Sequence, residues 1–468
     1  MITRLPLKWL PFADAASAGL PLGQLLRLSL FQVSVGMAAV LLLGTLNRVM
    51  IVELSVPAMV VAFMIALPVL SAPFRALLGF RSDTYKSALG WKRIPYLWFG
   101  SLWQFGGLAI MPFALLVLSG QQMVGPDWAG EVLAALAFLM TGVGMHMTQT
   151  AGLALAADRA DEETRPRVVA LLYVMFLVGM LISSLIVGWL LQDFSPFRLI
   201  RVVQGCALVG FVLCMIALWK QEKLVPMTKA ERAVPRPAFR MAFAELLGEH
   251  NAARLILVVF LGTMAFNMQD VLLEPYGGEI LGLSVSATTL LTAAWASGAL
   301  VGFALAARWL KRGTNVHLMG ARGLLIGLVA FSAVIFAAPL DSAPLFFAGS
   351  TLIGLGGGLF AVSTLTAAMT LSTRGRGLAL GAWGGAQATA AGISIALGGT
   401  LRDAVNAAAL NGTFGPGLID PSVGYSVVYH TEIALIFITL IALGPMVRRD
   451  MQPNGERQIG LAFPIRLH

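Results

Sequence analysis

Asn267, Asp270 and Glu274 stand at i, i+3 and i+7, the spacing of one helical face, at the end of an apolar run that begins at Leu255. Ionisable groups in such a run are costly and face a protein interior or water. The spacing therefore predicts a polar face turned into a helix bundle, with Asp270 a full turn deeper than Glu274. A carboxyl group held there can titrate, pair with a cation or gate a cavity. Arg48, near the end of the first apolar run, is the cation predicted to meet Asp270 or Glu274. Its competing destinations are the headgroups or Glu53. His146 is the informative one among five histidines: it lies inside another apolar run, with Gln149 and Thr150 at i+3 and i+4. A neutral imidazole in a dry bundle can ligate a metal centre, or be satisfied by Gln149 or a neighbouring helix. No hydrolytic or redox constellation stands in the chain. Gly354-Leu355-Gly356-Gly357-Gly358 sits inside an apolar run and reads as a packing surface, not a phosphate cradle. Cys206 and Cys214 share one run without a CxxC spacing and read as packing residues. Neither an enzyme nor an ATP-driven device is expected.

The elements that must position these residues are membrane helices. Of the 468 residues 58% are hydrophobic and 12% charged, with a mean hydropathy of +0.82. That composition excludes a soluble domain with a polar shell. Segments near the ~20 residues needed to cross ~30 Å of hydrocarbon fall at 28–51, 56–78, 95–118, 130–156, 167–191, 199–219, 255–275, 287–309, 318–338, 344–370, 378–401 and 430–447. With the N-terminus inside, the inner segments hold every one of the 32 Lys and Arg except Arg48, Arg198, Arg201 and Arg402. The positive-inside rule then places both termini in the cytoplasm. The net charge of +9 is explained by basic loops facing anionic lipid, and no nucleic-acid partner follows. The basic, proline-bearing stretch between the sixth and seventh spans divides the chain into a six-helix half at 1–220, a cytoplasmic linker at 221–253 and a second half at 254–468. The halves echo each other: Thr164-Arg165-Pro166-Arg167-Val168-Val169-Ala170-Leu171 follows the fourth span, and Thr373-Arg374-Gly375-Arg376-Gly377-Leu378-Ala379-Leu380 the tenth. The turn from Asp403 to Tyr429 carries no chemical signal.

Gly79-Phe80-Arg81-Ser82-Asp83, followed by Gly90-Trp91-Lys92-Arg93, resembles the loop signature of major facilitator superfamily transporters. Longer stretches are more specific: Arg81 to Tyr96, Gly144-Met145-His146-Met147-Thr148-Gln149-Thr150 on to Asp158, Phe266 to Gly278, and Gly381-Ala382-Trp383-Gly384. Together these resemble the PucC/LhaA family, the bacteriochlorophyll-delivery family of that superfamily, over nearly the whole chain.

The resemblance implies an all-α membrane protein of twelve transmembrane helices in two six-helix halves, with the major facilitator superfamily fold. It implies a chaperone-like assembly factor for light-harvesting antenna complexes, LH1 or LH2, in the inner, intracytoplasmic photosynthetic membrane. Its partners would be the antenna α/β polypeptides, bacteriochlorophyll or its synthase, and membrane lipid. Bacteriochlorophyll is the implied cofactor, with carotenoid second. Read onto the residues, His146 becomes the axial ligand, Gln149 its orienting partner, and Trp295 and Trp383 the aromatic walls of a pigment site. Gly142, Gly144 and Gly152 on the same helix remove bulk where a macrocycle or a second helix could approach. Asp83, Lys92, Arg93, Asp158 and Arg165 become the cytoplasmic gate, and Arg48, Asn267, Asp270 and Glu274 the polar cavity. The alternative is a proton-coupled secondary transporter of a small solute that titrates Asp270 or Glu274.

Overall fold

The computed structural model describes residues 15–17, 19–70, 91, 93–119, 126, 128–161, 164–221, 252–370 and 376–451. Twelve long helices are seen among them: α1 Leu22–Glu53, α2 Ala58–Leu70, α3 Ile94–Leu118, α4 Ala129–Arg159, α5 Arg165–Leu190, α6 Pro196–Leu218, α7 Ala252–Glu279, α8 Val285–Lys311, α9 Val316–Ala337, α10 Ala343–Thr370, α11 Arg376–Leu410 and α12 Ser422–Met451. Ten are long and apolar enough to cross a membrane, which makes this a multi-pass membrane protein. Each predicted span coincides with a helix; the remainder of the second span and most of the linker at 221–253 lie outside the described residues. The largest difference is at α11 and α12. α11 runs past the predicted 401 boundary, because a helix keeps its hydrogen bonds after its side chains turn polar, and α12 begins before the predicted 430 boundary, with Tyr425, Val428 and Tyr429 fully buried in that added stretch.

One packing pattern occurs twice. In the first six helices α1 packs on α4, α5 and α6, α2 and α3 pack on α4, and α3 packs on α6; shifted by six, the same pairs recur from α7 to α12. The two sets meet where α5 packs on α8 and α2 on α11, which are again equivalent pairs. Successive crossings place the connections α1–α2, α3–α4, α5–α6, α7–α8, α9–α10 and α11–α12 on one side of the bundle, called here the odd side.

Close approaches rest on glycines. A side chain at Gly298 would strike the Thr351 carbonyl and one at Gly354 the Trp295 carbonyl, so α8 and α10 touch backbone to backbone. The Gly354–Gly358 stretch is thus a packing surface, as its setting predicted.

Two helices that reach the site are irregular. In α1, Val40–Thr45 and Val49–Glu53 are π-helical turns. In α7 the α-helix stops at Asn267, a 3₁₀ turn spans Met268–Val271, and α-helix resumes at Leu273. Pro275 has no N–H for the Val271 carbonyl four residues back, which removes one rung where the helix is broken.

Candidate functional site

The break in α7 corrects the first expectation. Asn267, Asp270 and Glu274 do not form one continuous face, because the 3₁₀ turn rotates the chain between them. Asp270, half-buried, accepts from Asn267 Nδ2 at 2.6 Å and from the Gln269 side-chain amide. Glu274, 3% exposed, instead accepts from Thr292 Oγ1 of α8 at 2.5 Å, and its Oε2 has no hydrogen-bond partner. It fits because Gly44, in the first π turn of α1, presents no side chain: a Cβ there would collide with Glu274 Oε1.

The break is held by side chains from two other helices. Asn47 Nδ2 of α1 donates to the Val271 carbonyl at 3.3 Å, the acceptor that Pro275 leaves unused. On the opposite flank Glu432 of α12 accepts the Gln269 backbone N–H at 2.8 Å. Unpaired backbone groups inside a membrane each cost several kcal/mol, on the order of 2–7. Asn47, Gln269 and Glu432 were not singled out from sequence. Glu432 obeys the same rule that drew attention to Asp270, an ionisable residue within a span. It escaped because the span was begun at His430, whereas α12 begins ten residues before Glu432, about 15 Å at 1.5 Å per residue.

Arg48 is a second correction. It is buried, and its ion pair is with Glu53, not with Asp270 or Glu274. The wide π turn over Val49–Glu53 brings residues five apart into line, while Asp270 is already taken by two amides. Arg48 still ties α1 to the second set of helices, through Nη2 to the Leu283 carbonyl at 3.3 Å.

More polar ties join the two sets toward the odd side. Thr45 and Thr289 hydroxyls lie 3.1 Å apart, and Ser286 Oγ donates to the Gly188 carbonyl at 2.6 Å. Asp403 of α11 accepts the Met59 N–H in the first turn of α2 at 2.7 Å, where a helix has no internal acceptor to offer. Arg402 beside it binds Asp403 at 2.8 Å and pairs with Glu279, with its guanidinium 4.6 Å from the centre of the Tyr425 ring. In the α11–α12 connection, hydrogen bonds from the Ser422 hydroxyl and N–H hold the Asp420 carboxyl below the usual carboxylate range.

On the opposite side Arg93 and Asp158 do come together, Nε to Oδ2 at 3.0 Å, joining the start of α3 to the end of α4. Asp83, Lys92 and the Arg165 side chain lie outside the described residues. Of the pigment candidates, His146 is half-buried on α4 and Gln149 Nε2 reaches Gln32 Oε1 of α1 at 3.4 Å. Trp295 is half-buried and, like Met145, packs against the core between α1, α5 and α8. Trp383 is buried and donates its indole N–H to Thr364 Oγ1 at 3.2 Å. Gly142, Gly144 and Gly152 are filled by protein: Pro68, the Gln104 backbone and the Phe31 ring occupy the positions a Cβ would take. The glycines therefore serve helix approach and not a macrocycle.

The family model described as PUCC protein matches residues 45–451. The chain belongs to the PucC family. A relative from Rhodobacter capsulatus, described as an uncharacterized protein in the puhA–bchM intergenic region, is 65% identical and covers 99% of this chain and 98% of its own. Protein PucC of Rhodovulum sulfidophilum is 56% identical over 85% of this chain and 89% of its own. Among solved structures, a bacterial homolog of the human lysosomal transporter Spinster, inward-facing and unoccupied, superposes with a TM-score of 0.64 at 16% identity, covering 90% of this chain and 95% of its own. The PucC family member described here thus has the major facilitator superfamily fold that its loops resemble.

Proposed function

We propose that this protein assists assembly of a bacterial light-harvesting antenna complex, LH1 or LH2, by binding or handing over bacteriochlorophyll and docking the single-span antenna α/β polypeptides in the membrane. Membership of the PucC family over 45–451 carries the reading. On this reading it works in the intracytoplasmic photosynthetic membrane with both termini in the cytoplasm, receives pigment from its synthase, and catalyses no covalent step. His146 would be the axial ligand. The residues around it fit a pigment in one respect: beside Gln149, the fully buried Gln32 has an Nε2 without an acceptor, a donor for a pigment carbonyl. They restrict it in another, since the filled glycines exclude a ring along that line of α4. Trp295 and Trp383 would supply apolar wall, and a carotenoid is the second pigment such a wall would accept. The test is a deletion strain, in which pigment synthesis is expected to continue while one antenna complex falls; normal antenna levels would overturn the proposal.

A second reading, proton-coupled transport of a small solute, is supported by the buried Glu274 at a broken helix in a fold shared with transporters. Vesicles whose internal pH changes on adding a solute would favour it.

A further inference from the structure

Glu432 is the most fully enclosed acid among the described residues, 0% exposed, and one of its two oxygens has no partner. Its Oε1 takes the Gln269 N–H. The side chain of the same Gln269 donates to Asp270, so one residue links two carboxyl groups. No basic side chain among the described residues is bonded to either acid. The groups that face Glu432 can be taken element by element. The broken α7 presents the Gln269 and Met268 N–H groups and Asp270; α12 itself presents Tyr429, one turn away, whose hydroxyl is also buried and unpartnered. Tyr429 stands edge-on to Tyr276 at 5.5 Å. On α9, Arg322 lies over the Trp309 ring at 5.1 Å, and on α11, Arg402 and Asp403 are engaged with Glu279 and Met59. Gln269 Oε1, 2% exposed, is a further buried acceptor without a donor.

Two carboxylates without a counter-cation, one shut from water, and a surplus of unpaired acceptors describe a site short of a proton. An isolated buried anion is the costlier form, and two neighbouring acids do not both ionise freely. We propose that Asp270, Gln269 and Glu432 form a proton-binding site in which Glu432 retains the proton and the half-buried Asp270 exchanges it with water. Because Glu432 also anchors the Gln269 N–H, proton loss places two repelling anions against the 3₁₀ turn and loosens the break in α7. The inference concerns the charge state of the bundle and depends on neither functional reading.

The test is infrared spectroscopy of the purified full chain in lipid nanodiscs, following the carbonyl stretch of protonated carboxylic acids against pH. The wild-type band is expected at neutral pH, and Glu432→Gln, which keeps an acceptor for the Gln269 N–H, is expected to lose one component of it while any component from the enclosed Glu274 stays. In Asp270→Asn the Glu432 component is expected to disappear at a pH about 1–3 units lower than in wild type, since removing the neighbouring charge makes Glu432 easier to ionise. An unchanged band in Glu432→Gln overturns the proposal. Should that variant fail to fold, the same titration midpoint in Asp270→Asn and wild type overturns it.

Discussion

At the residue scale, each buried charge is decided by what its nearest turn of helix allows. Arg48 pairs with Glu53 because the π turn aligns them, so the two should be coupled and Arg48 and Asp270 should not. Thermal unfolding in detergent is expected to show Arg48→Ala and Glu53→Ala departing from additivity by more than ~0.5 kcal/mol, while Arg48→Ala and Asp270→Ala add within ~0.5 kcal/mol. The coupling should fall below the ~3–5 kcal/mol of fully buried pairs, because the Glu53 side chain is 40% exposed. Gly44 supplies the second residue-scale prediction. Gly44→Ala is expected to destabilise by about 1–3 kcal/mol through overpacking against Glu274, and Glu274→Ala in the same chain should recover most of that loss. A Gly44→Ala protein as stable as wild type would mean that Glu274 does not fill that space. Asp270 and Glu274 were legible in the sequence because charge inside an apolar run is conspicuous. The partner of Arg48 was not, since a pairing inferred from regular helix ignores π turns.

At the scale of the element, the break in α7 is a division of labour between a proline and two foreign side chains. If Asn47 serves the carbonyl that Pro275 leaves unused, Asn47→Ala should cost about 1–3 kcal/mol in the native chain. It should cost less in Pro275→Ala, where a backbone N–H is restored. Equal costs in the two backgrounds would remove that explanation of Asn47. The glycines give a complementary contrast. Gly298→Ala is expected to cost about 2 kcal/mol or more, because the Thr351 carbonyl cannot yield without moving α10. Gly384→Ala, with nothing within 4 Å of the added carbon, should be neutral or gain up to ~1 kcal/mol of helix propensity. Hydropathy marked where the helices lie. It could not mark the break, since Phe266 to Gly278 has helical periodicity and its interruption depends on Asn47 and Glu432, which lie far away in sequence.

For the whole molecule, the two sets of six helices pair by one rule used twice, and the repeated T-R-x-R-x-x-A-L pattern in the connections after α4 and α10 had already suggested it. Toward the odd side the sets are tied together by Asn47, Arg48, Thr45, Ser286 and Asp403. On the far side, the Arg93–Asp158 pair stays within the first set. Charge made Arg48 conspicuous in the sequence, whereas Thr45, Asn47 and Ser286 are neutral hydroxyls and amides that leave no charge pattern. Pigment handling for antenna assembly is tested most directly on the protein itself. Purified from phototrophically grown cells lacking antenna polypeptides, the wild-type chain is expected to carry bacteriochlorophyll with a near-infrared band, and His146→Leu to lose that pigment while keeping its expression and fold. A colourless wild-type protein that also fails to capture antenna polypeptides when they are restored would rule out a role in pigment handling for antenna assembly.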